Sequence, residues 1–145
     1  MTDVLTPAQR RLNMSRIHSK DTKPEMLLRR GLHAQGFRFR LHRRDLPGCP
    51  DIVFPRFRSV VFVHGCFWHG HNCRMFKLPT TRATFWAGKI HGNQARDVHA
   101  ISELEAAGWR TLVVWECALR GPERRPVAEV LAQVSSWLLS AIKTR

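Results

Sequence analysis

An α/β fold, with a mixed central sheet flanked by helices, is predicted by three features of this 145-residue sequence. The apolar pattern reads helix, three strands, helix, strand, helix. The second and third strands are separated only by the turn Pro55-Arg56-Phe57-Arg58, so they pair as neighbours, whereas the fourth strand is reached through a long helix. A meander followed by a crossover helix puts both strand senses in one sheet and helices on both its faces. The length fits a single domain, large enough for a core but not for two.

Residues 1–22 are polar and basic, with Met14 and Ile17 as isolated apolar points, and read as a short amphipathic helix or an arm that orders against a partner. Asp21-Thr22 before Pro24 and Glu25 is a helix start: a capping side chain, proline in the first turn, then an acid near the positive end of the dipole. Met26, Leu27, Leu28 and Leu32 recur near helical spacing, and Gly36 stops the helix. Phe37, Phe39 and Leu41 alternate with Arg38, Arg40 and His42, the pattern of a half-buried strand with a basic outer face. After the turn Leu46-Pro47-Gly48-Cys49-Pro50, Asp51 to Phe54 form the second strand and Ser59 to Val63 the third. Residues 64–81 have no periodicity and need something other than a core to hold them. Thr84 to Ala107 reads as helix, broken near Gly92, and Gly108 ends it. Trp109 to Trp115 is a fourth, largely buried strand, and Pro126 to Ile142 a closing helix with Val127, Val130, Leu131, Val134, Leu138 and Ile142 on one face.

The chain carries 24 Lys and Arg against 11 Asp and Glu, a net charge of +13. Such a charge favours a polyanion, either nucleic acid or an acidic membrane surface. No apolar run approaches the roughly 20 residues that span a bilayer. The opening Met-Thr-Asp-Val-Leu-Thr-Pro lacks the build of a signal peptide, so a cytoplasmic protein with reduced thiols is expected.

The run from Val60 to Cys73 concentrates the chemistry: four apolar residues lead into three histidines, two cysteines and an adjacent Phe-Trp pair. Cys66 and Cys73 flank His69 and His71, and Cys117 follows the fourth strand. Three thiolates and one imidazole make a tetrahedral zinc site with no open position, which marks a structural ion. The alternative is three unrelated reduced cysteines near histidines. Spacing does not decide between the histidines; His71 is assigned to the zinc with Cys66, Cys73 and Cys117, which leaves His69 for chemistry. Cys49, in a separate turn, is a spare thiol.

Asp51 opens the second strand beside the end of the third, near Val63 and His64. A carboxylate there suits Mg²⁺ held against a phosphate, with the Val63 carbonyl as second ligand and His64 and His69 within reach. The competing reading is an ordinary turn aspartate. Phe67 and Trp68, exposed on a stapled loop, suit insertion between base pairs. A satellite core around the zinc competes with that reading, above all for Trp86 on its helix. Met14 is a candidate for the opposite groove.

These residues resemble the very short patch repair endonucleases. The resemblance covers nearly the whole chain: Asn13-Met14, Asp21-Thr22, Leu46-Pro47-Gly48 with Pro50-Asp51, the run His64 to His69, His71 with Cys73, Lys77, Thr81-Arg82, Phe85-Trp86, Lys89-Ile90, Asn93, Gly108-Trp109-Arg110, and the run Val114 to Gly121. It implies a fold like that of type II restriction endonucleases. The implied activity is a Mg²⁺-dependent nick on the 5′ side of the thymine in a T:G mismatch, the product of 5-methylcytosine deamination. By position, Asp51 and the Val63 carbonyl would bind Mg²⁺, His69 would be the base for the attacking water and His64 would assist at the scissile phosphate. Glu25 would support the metal-bound water, and Asp97 would orient a histidine. Cys66, His71, Cys73 and Cys117 would hold zinc. Phe67, Trp68 and Trp86 would form the wedge beside the mismatch, Met14 would lie on the minor-groove side, and Lys89 and Asn93 join the DNA-contacting set.

Val63 stands where the family pattern has threonine, a change that a backbone ligand survives. The acid and lysine of the wider nuclease motif are absent after Asp51, as suits a histidine-based site. The arm and residues 122–145 match poorly. The resemblance further implies a bacterial cytoplasmic protein, nucleoid-associated on DNA, a monomer, with mismatch-repair proteins as candidate partners. Two rivals are a nuclease of the same fold that cuts unmodified or otherwise damaged duplex, and a zinc-stapled DNA-binding module without catalysis; Asp51, His64 and His69 together argue against the module.

Overall fold

The computed structural model describes residues 21–143; the expected basic arm of residues 1–20, with Met14, lies outside them. Helix α1, Lys23–Ala34, starts where expected: the Thr22 hydroxyl accepts the Glu25 N–H at 3.3 Å, and a Glu25 carboxylate oxygen accepts the Asp21 N–H at 3.1 Å. The first of these bonds satisfies a donor that the first helical turn leaves orphaned, and the second ties the residue before the cap back onto the helix. Strands β1 (Arg40–Leu41), β2 (Ile52–Phe54) and β3 (Ser59–His64) follow, then helix α2 (Ala83–Ala106), strand β4 (Arg110–Trp115) and helix α3 (Val127–Lys143).

The four strands lie in the order β1-β2-β3-β4. The first two pairings are antiparallel, with Leu41 opposite Ile52 and Ile52 opposite Val61, and β3 pairs with β4 in parallel, Val61 opposite Leu112 and His64 opposite Trp115. The mixed sheet with helices on both faces is therefore as expected. On one face α1 and α3 pack over Ile52, Phe54, Val61 and Val114 through Leu28, Leu32, Val130, Val134 and Leu138. On the other, α2 brings Leu104 and Ile101 against Val53, Val60 and Phe62. The alternation of buried residues along β2 and β3 thus serves two cores, one on each side of the sheet.

Four details differ from the sequence expectation. Only Arg40 and Leu41 of the alternating 37–42 stretch pair: β2 ends at Phe54, where Pro55 begins a tight turn and leaves residues 37–38 without a partner strand, and at the other end His42 takes a left-handed conformation at φ 48°. Phe37 and Phe39 still pack on Phe54. Helix α2 runs unbroken through Gly92: one glycine costs only about 1 kcal/mol in a helix that tertiary contacts hold. Strand β4 is an edge strand, so it is mostly half-buried, with Val114 its buried residue. Ile142 is 49% exposed, and Ala141 instead continues the buried face of α3. No described helix is long and apolar enough to cross a membrane.

Candidate active site and metal centre

The catalytic candidates converge at one end of the β2–β3 pair. Gly48 (φ 74°) and Cys49 (φ 49°) turn the chain so that Pro50 is buried and Asp51 enters the sheet at 8% exposure. The Val63 N–H donates to Asp51 Oδ2 at 2.7 Å. In an antiparallel pair the N–H and C=O of one residue face the same neighbour, so the Val63 carbonyl is turned to the side of Asp51. Burial pushes the Asp51 carboxyl up to about 7, against the pull of the Val63 N–H, and the nearby Glu25 pushes the same way. A buried carboxyl raised in this way is a site that a cation would relieve.

Glu25, 1% exposed, comes to the same place from α1. His42 Nε2 lies 3.0 and 2.9 Å from its two oxygens, and Arg29 donates to it at 2.7 Å. Glu25, Asp21 and His42 present their ligand atoms within 4.8 Å of one another. Sequence reasoning missed His42, reading it as the outer face of a strand, and Asp21, reading it as part of a helix cap.

His64 ends β3 at 6% exposure, and its ring stacks on His69 with centroids 3.7 Å apart and planes 2° from parallel. Burial first, and then the neighbouring His69, lower the His64 imidazole to about 3, so it is neutral at physiological pH. Asp97, on α2, holds His69 Nδ1 at 2.5 Å. With a proton on Nδ1 facing the carboxylate, Nε2 of His69 is left as an acceptor. Asp51, Val63, His64, His69 and Asp97 share a cavity of about 680 Å³ with Arg44, a basic wall residue that sequence reasoning did not single out.

A second cluster joins the loop after β3 to the turn that follows β4. Cys66, His71, Cys73 and Cys117 bring their ligand atoms within 4.8 Å of one another. His71 Nδ1 is 3.7 Å from the Cys66 sulfur and 3.5 Å from the Cys117 sulfur. Tetrahedral zinc with ordinary Zn–S and Zn–N bonds would set such edges at about 3.6 Å, so the four residues fit a metal ion. Burial pushes the Cys66 thiol up to about 12 and raises Cys117 too; a cation would reverse that by taking the thiolates. His71 stacks on Trp115 at 4.0 Å, and the Cys66 N–H donates to Glu116 at 3.2 Å. Cys49 is exposed and lines the cavity of Asp51, His64 and His69, apart from this cluster.

Phe67, Trp68 and Trp86 form a half-buried aromatic group, with Phe67 5.1 Å from Trp68 and 5.6 Å from Trp86, both edge-on. Lys89 is exposed one turn further along α2. The Asn93 amide is engaged within the protein: its nitrogen donates to the Trp68 carbonyl at 2.8 Å, and its oxygen accepts from Arg96.

A buried acidic pair beside stacked histidines, on a protein of net charge +13, is an arrangement that can hold a cation against a phosphate and take a proton from water. That is the chemistry of a nuclease. The family model described as "DNA mismatch endonuclease Vsr" matches residues 2–75. The chain is 56% identical over 119 residues to the "Type II nicking enzyme V.XorIIP" of Xanthomonas oryzae pv. oryzae, which spans 82% of this chain and 88% of that protein. It is 46% identical over 138 residues to the "DNA mismatch endonuclease Vsr" of Escherichia coli K12, 95% of this chain and 88% of the relative. It is also 47% identical over 120 residues to the "Type II nicking enzyme V.NmeAIP" of Neisseria meningitidis serogroup A, 83% and 86% of the two chains. The chain belongs to the Vsr family of DNA endonucleases.

Proposed function

We propose that this endonuclease nicks one strand of duplex DNA 5′ to the thymine of a T:G mismatch, by Mg²⁺-dependent hydrolysis. The observation that carries the reading is the Asp51–Val63 hydrogen bond of 2.7 Å, which sets a buried carboxylate in one cavity with His64, His69 and Asp97. Residues 1–145 act as one domain of restriction-endonuclease-like fold, with residues 1–20 as a basic arm on the DNA. Asp51 and the Val63 carbonyl would hold Mg²⁺, which when bound supplies positive charge to polarise the phosphorus and acidify water. His69 Nε2 takes the proton of the attacking water while Asp97 stabilises the imidazolium through Nδ1. The new P–O bond forms as the bond to the 3′ oxygen breaks, and that oxygen takes a proton from solvent. Neutral His64 offers an N–H to the scissile phosphate. Glu25, locked between His42 and Arg29, orients water in the same site.

Cys66, His71, Cys73 and Cys117 would hold a structural zinc that pins the 64–82 loop. Phe67, Trp68 and Trp86 enter the base stack beside the mismatch, Met14 reaches the opposite groove, and Lys89 lies against the DNA. Asn93 supports the wedge through the Trp68 carbonyl. The protein acts as a monomer, with mismatch-repair proteins as partners. Nicking of T:G, matched T:A and other mismatched duplexes, each with and without Mg²⁺, tests the reading. Selective, Mg²⁺-dependent nicking of the T:G duplex is expected. The names of the nicking-enzyme relatives favour a second reading, a nick in other duplex sites, and equal cutting of matched and mismatched DNA would establish it in place of the first.

A further inference from the structure

Three consecutive residues of the loop, Trp68, His69 and Gly70, are gripped by a single stretch of α2. Asn93 donates to the Trp68 carbonyl at 2.8 Å, and Asp97 holds the His69 ring. Between them, Gln94 Nε2 lies 3.3 Å from the His69 carbonyl and 3.3 Å from that of Gly70. A primary amide carries two hydrogens, one for each carbonyl. The fit is close: a Cβ on Gly70 would come 2.4 Å from Gln94 Nε2 and 2.7 Å from Ile90. Gly70 also sits at φ 61°, where a side chain is strained. The glycine is thus needed twice, for the turn and for the approach of Gln94.

We propose that Gln94 is a positioning residue for His69. Asp97 and the stacked His64 fix the orientation of the imidazole, and the His69 N–H is tied to the Gly65 carbonyl at 3.2 Å within the same loop, but a ring so held still moves with the loop backbone that carries it. Gln94 removes that freedom by tying the peptide carbonyls on either side of the Gly70 nitrogen to the same helix. Asp97 is three residues further on, on the same face of α2. Backbone and ring of His69 are therefore referred to one rigid element, and so is the backbone of the wedge residue Trp68. Seating of the wedge and placement of the base are set by one helix rather than by two independent supports.

The inference rests on His69 acting as the base, and the experiment separates the two. Gln94→Met keeps length and volume but removes the donor; Gln94→Leu is a second variant for the same loss. Steady-state nicking of a T:G duplex is expected to show kcat lowered roughly tenfold, since misplacement of a reacting group by a fraction of an ångström has effects of that order. KM, the Kd for the same duplex, zinc content and melting temperature are expected to stay as in the unaltered enzyme. Unchanged kcat in both variants would overturn the proposal. So would a fall in kcat accompanied by loss of zinc, Tm or DNA affinity, because that is the pattern of a general structural support. His69→Ala, assayed in parallel, reports on the base itself: full nicking by that variant sinks the base assignment, whereas loss there with normal Gln94 variants sinks the positioning role alone.

Discussion

Asp51 is expected to be a residue that the metal-free protein would fold better without. Its carboxyl is raised from an ordinary 3.8 to about 7, mainly by burial and with Glu25 adding to it. A raised acid binds its proton more tightly in the folded chain than in the unfolded one. Folding stability therefore falls as pH rises from 3.8 to about 7, and the loss is complete above that window. At about 1.4 kcal/mol for each tenfold change, the cost is on the order of 2 kcal/mol at pH 5.5 and 4 kcal/mol at pH 8. Asp51→Asn keeps an oxygen for the Val63 N–H and removes the charge. In zinc-replete, Mg²⁺-free buffer, urea denaturation is expected to find Asp51→Asn more stable than the parent at pH 8, with the advantage roughly halved at pH 5.5. Added Mg²⁺ should stabilise the parent and leave Asp51→Asn unmoved, since only a chain that binds the ion gains by mass action. The same variant should bind T:G duplex and not nick it. An Asp51→Asn protein that is no more stable at pH 8, or an advantage that does not vary with pH, would refute the reasoning.

Cys117→Ser is expected to lower bound zinc well below one equivalent and the melting temperature by about 5 °C or more, read by metal analysis and calorimetry; unchanged metal content would count against the cage. Trp68→Ala should weaken binding to a T:G duplex about tenfold and to matched duplex much less, in a fluorescence titration at fixed salt. Arg110→Ala should destabilise the fold by about 2 kcal/mol in urea. Its guanidinium donates to the Trp137 carbonyl at 2.8 Å, to Ser140 at 2.9 Å and to Ser59 at 3.2 Å, and lies over the Trp137 ring.

The sheet was legible because its evidence is local. The turn at Pro55–Arg58 forces β2 beside β3, and a helix-length connection forces β4 parallel. Asp51 could be placed beside Val63 for the same reason. The edge position of β4 was not legible: Trp-Arg-Thr-Leu-Val-Val-Trp has the composition of a central strand, and only the full strand order shows that one side of it is open. The clusters divide along the same line. Cys66, His71 and Cys73 are neighbours in sequence, so their density is visible. The grouping of Asp21, Glu25 and His42 depends on how α1 lies against the end of β1, and the Gln94 contacts depend on the register of α2 against a loop more than twenty residues away. No local pattern encodes either.

The parallel pairing of β3 with β4 explains why the Cys66, His71, Cys73 and Cys117 cluster and the cavity of Asp51, His64 and His69 stand back to back. It sets His64 opposite Trp115. The His64 ring meets the Trp115 ring edge-on at 5.3 Å on one side, while His71 stacks on Trp115 at 4.0 Å on another. Trp115 is thus a shared wall between the two sites. Between His64 and α2, among residues 65–82, Cys66 is the one buried residue, so the loop has almost no core of its own. Its order comes from the polar ties at Gln94, Asn93, Asp97 and Glu116, from its own backbone bonds such as His71 N–H to the Cys66 carbonyl, and from contacts among its half-buried aromatics, and an ion held by the four-residue cluster would add to it. That would be a physical advantage for a loop whose aromatics are proposed to meet DNA. Had the loop been held by hydrophobic burial, Phe67 and Trp68 would be the first residues drawn inward. A metal ion held by the thiolates and imidazole would secure the backbone without consuming them, and they stay half-exposed beside His69, the proposed base.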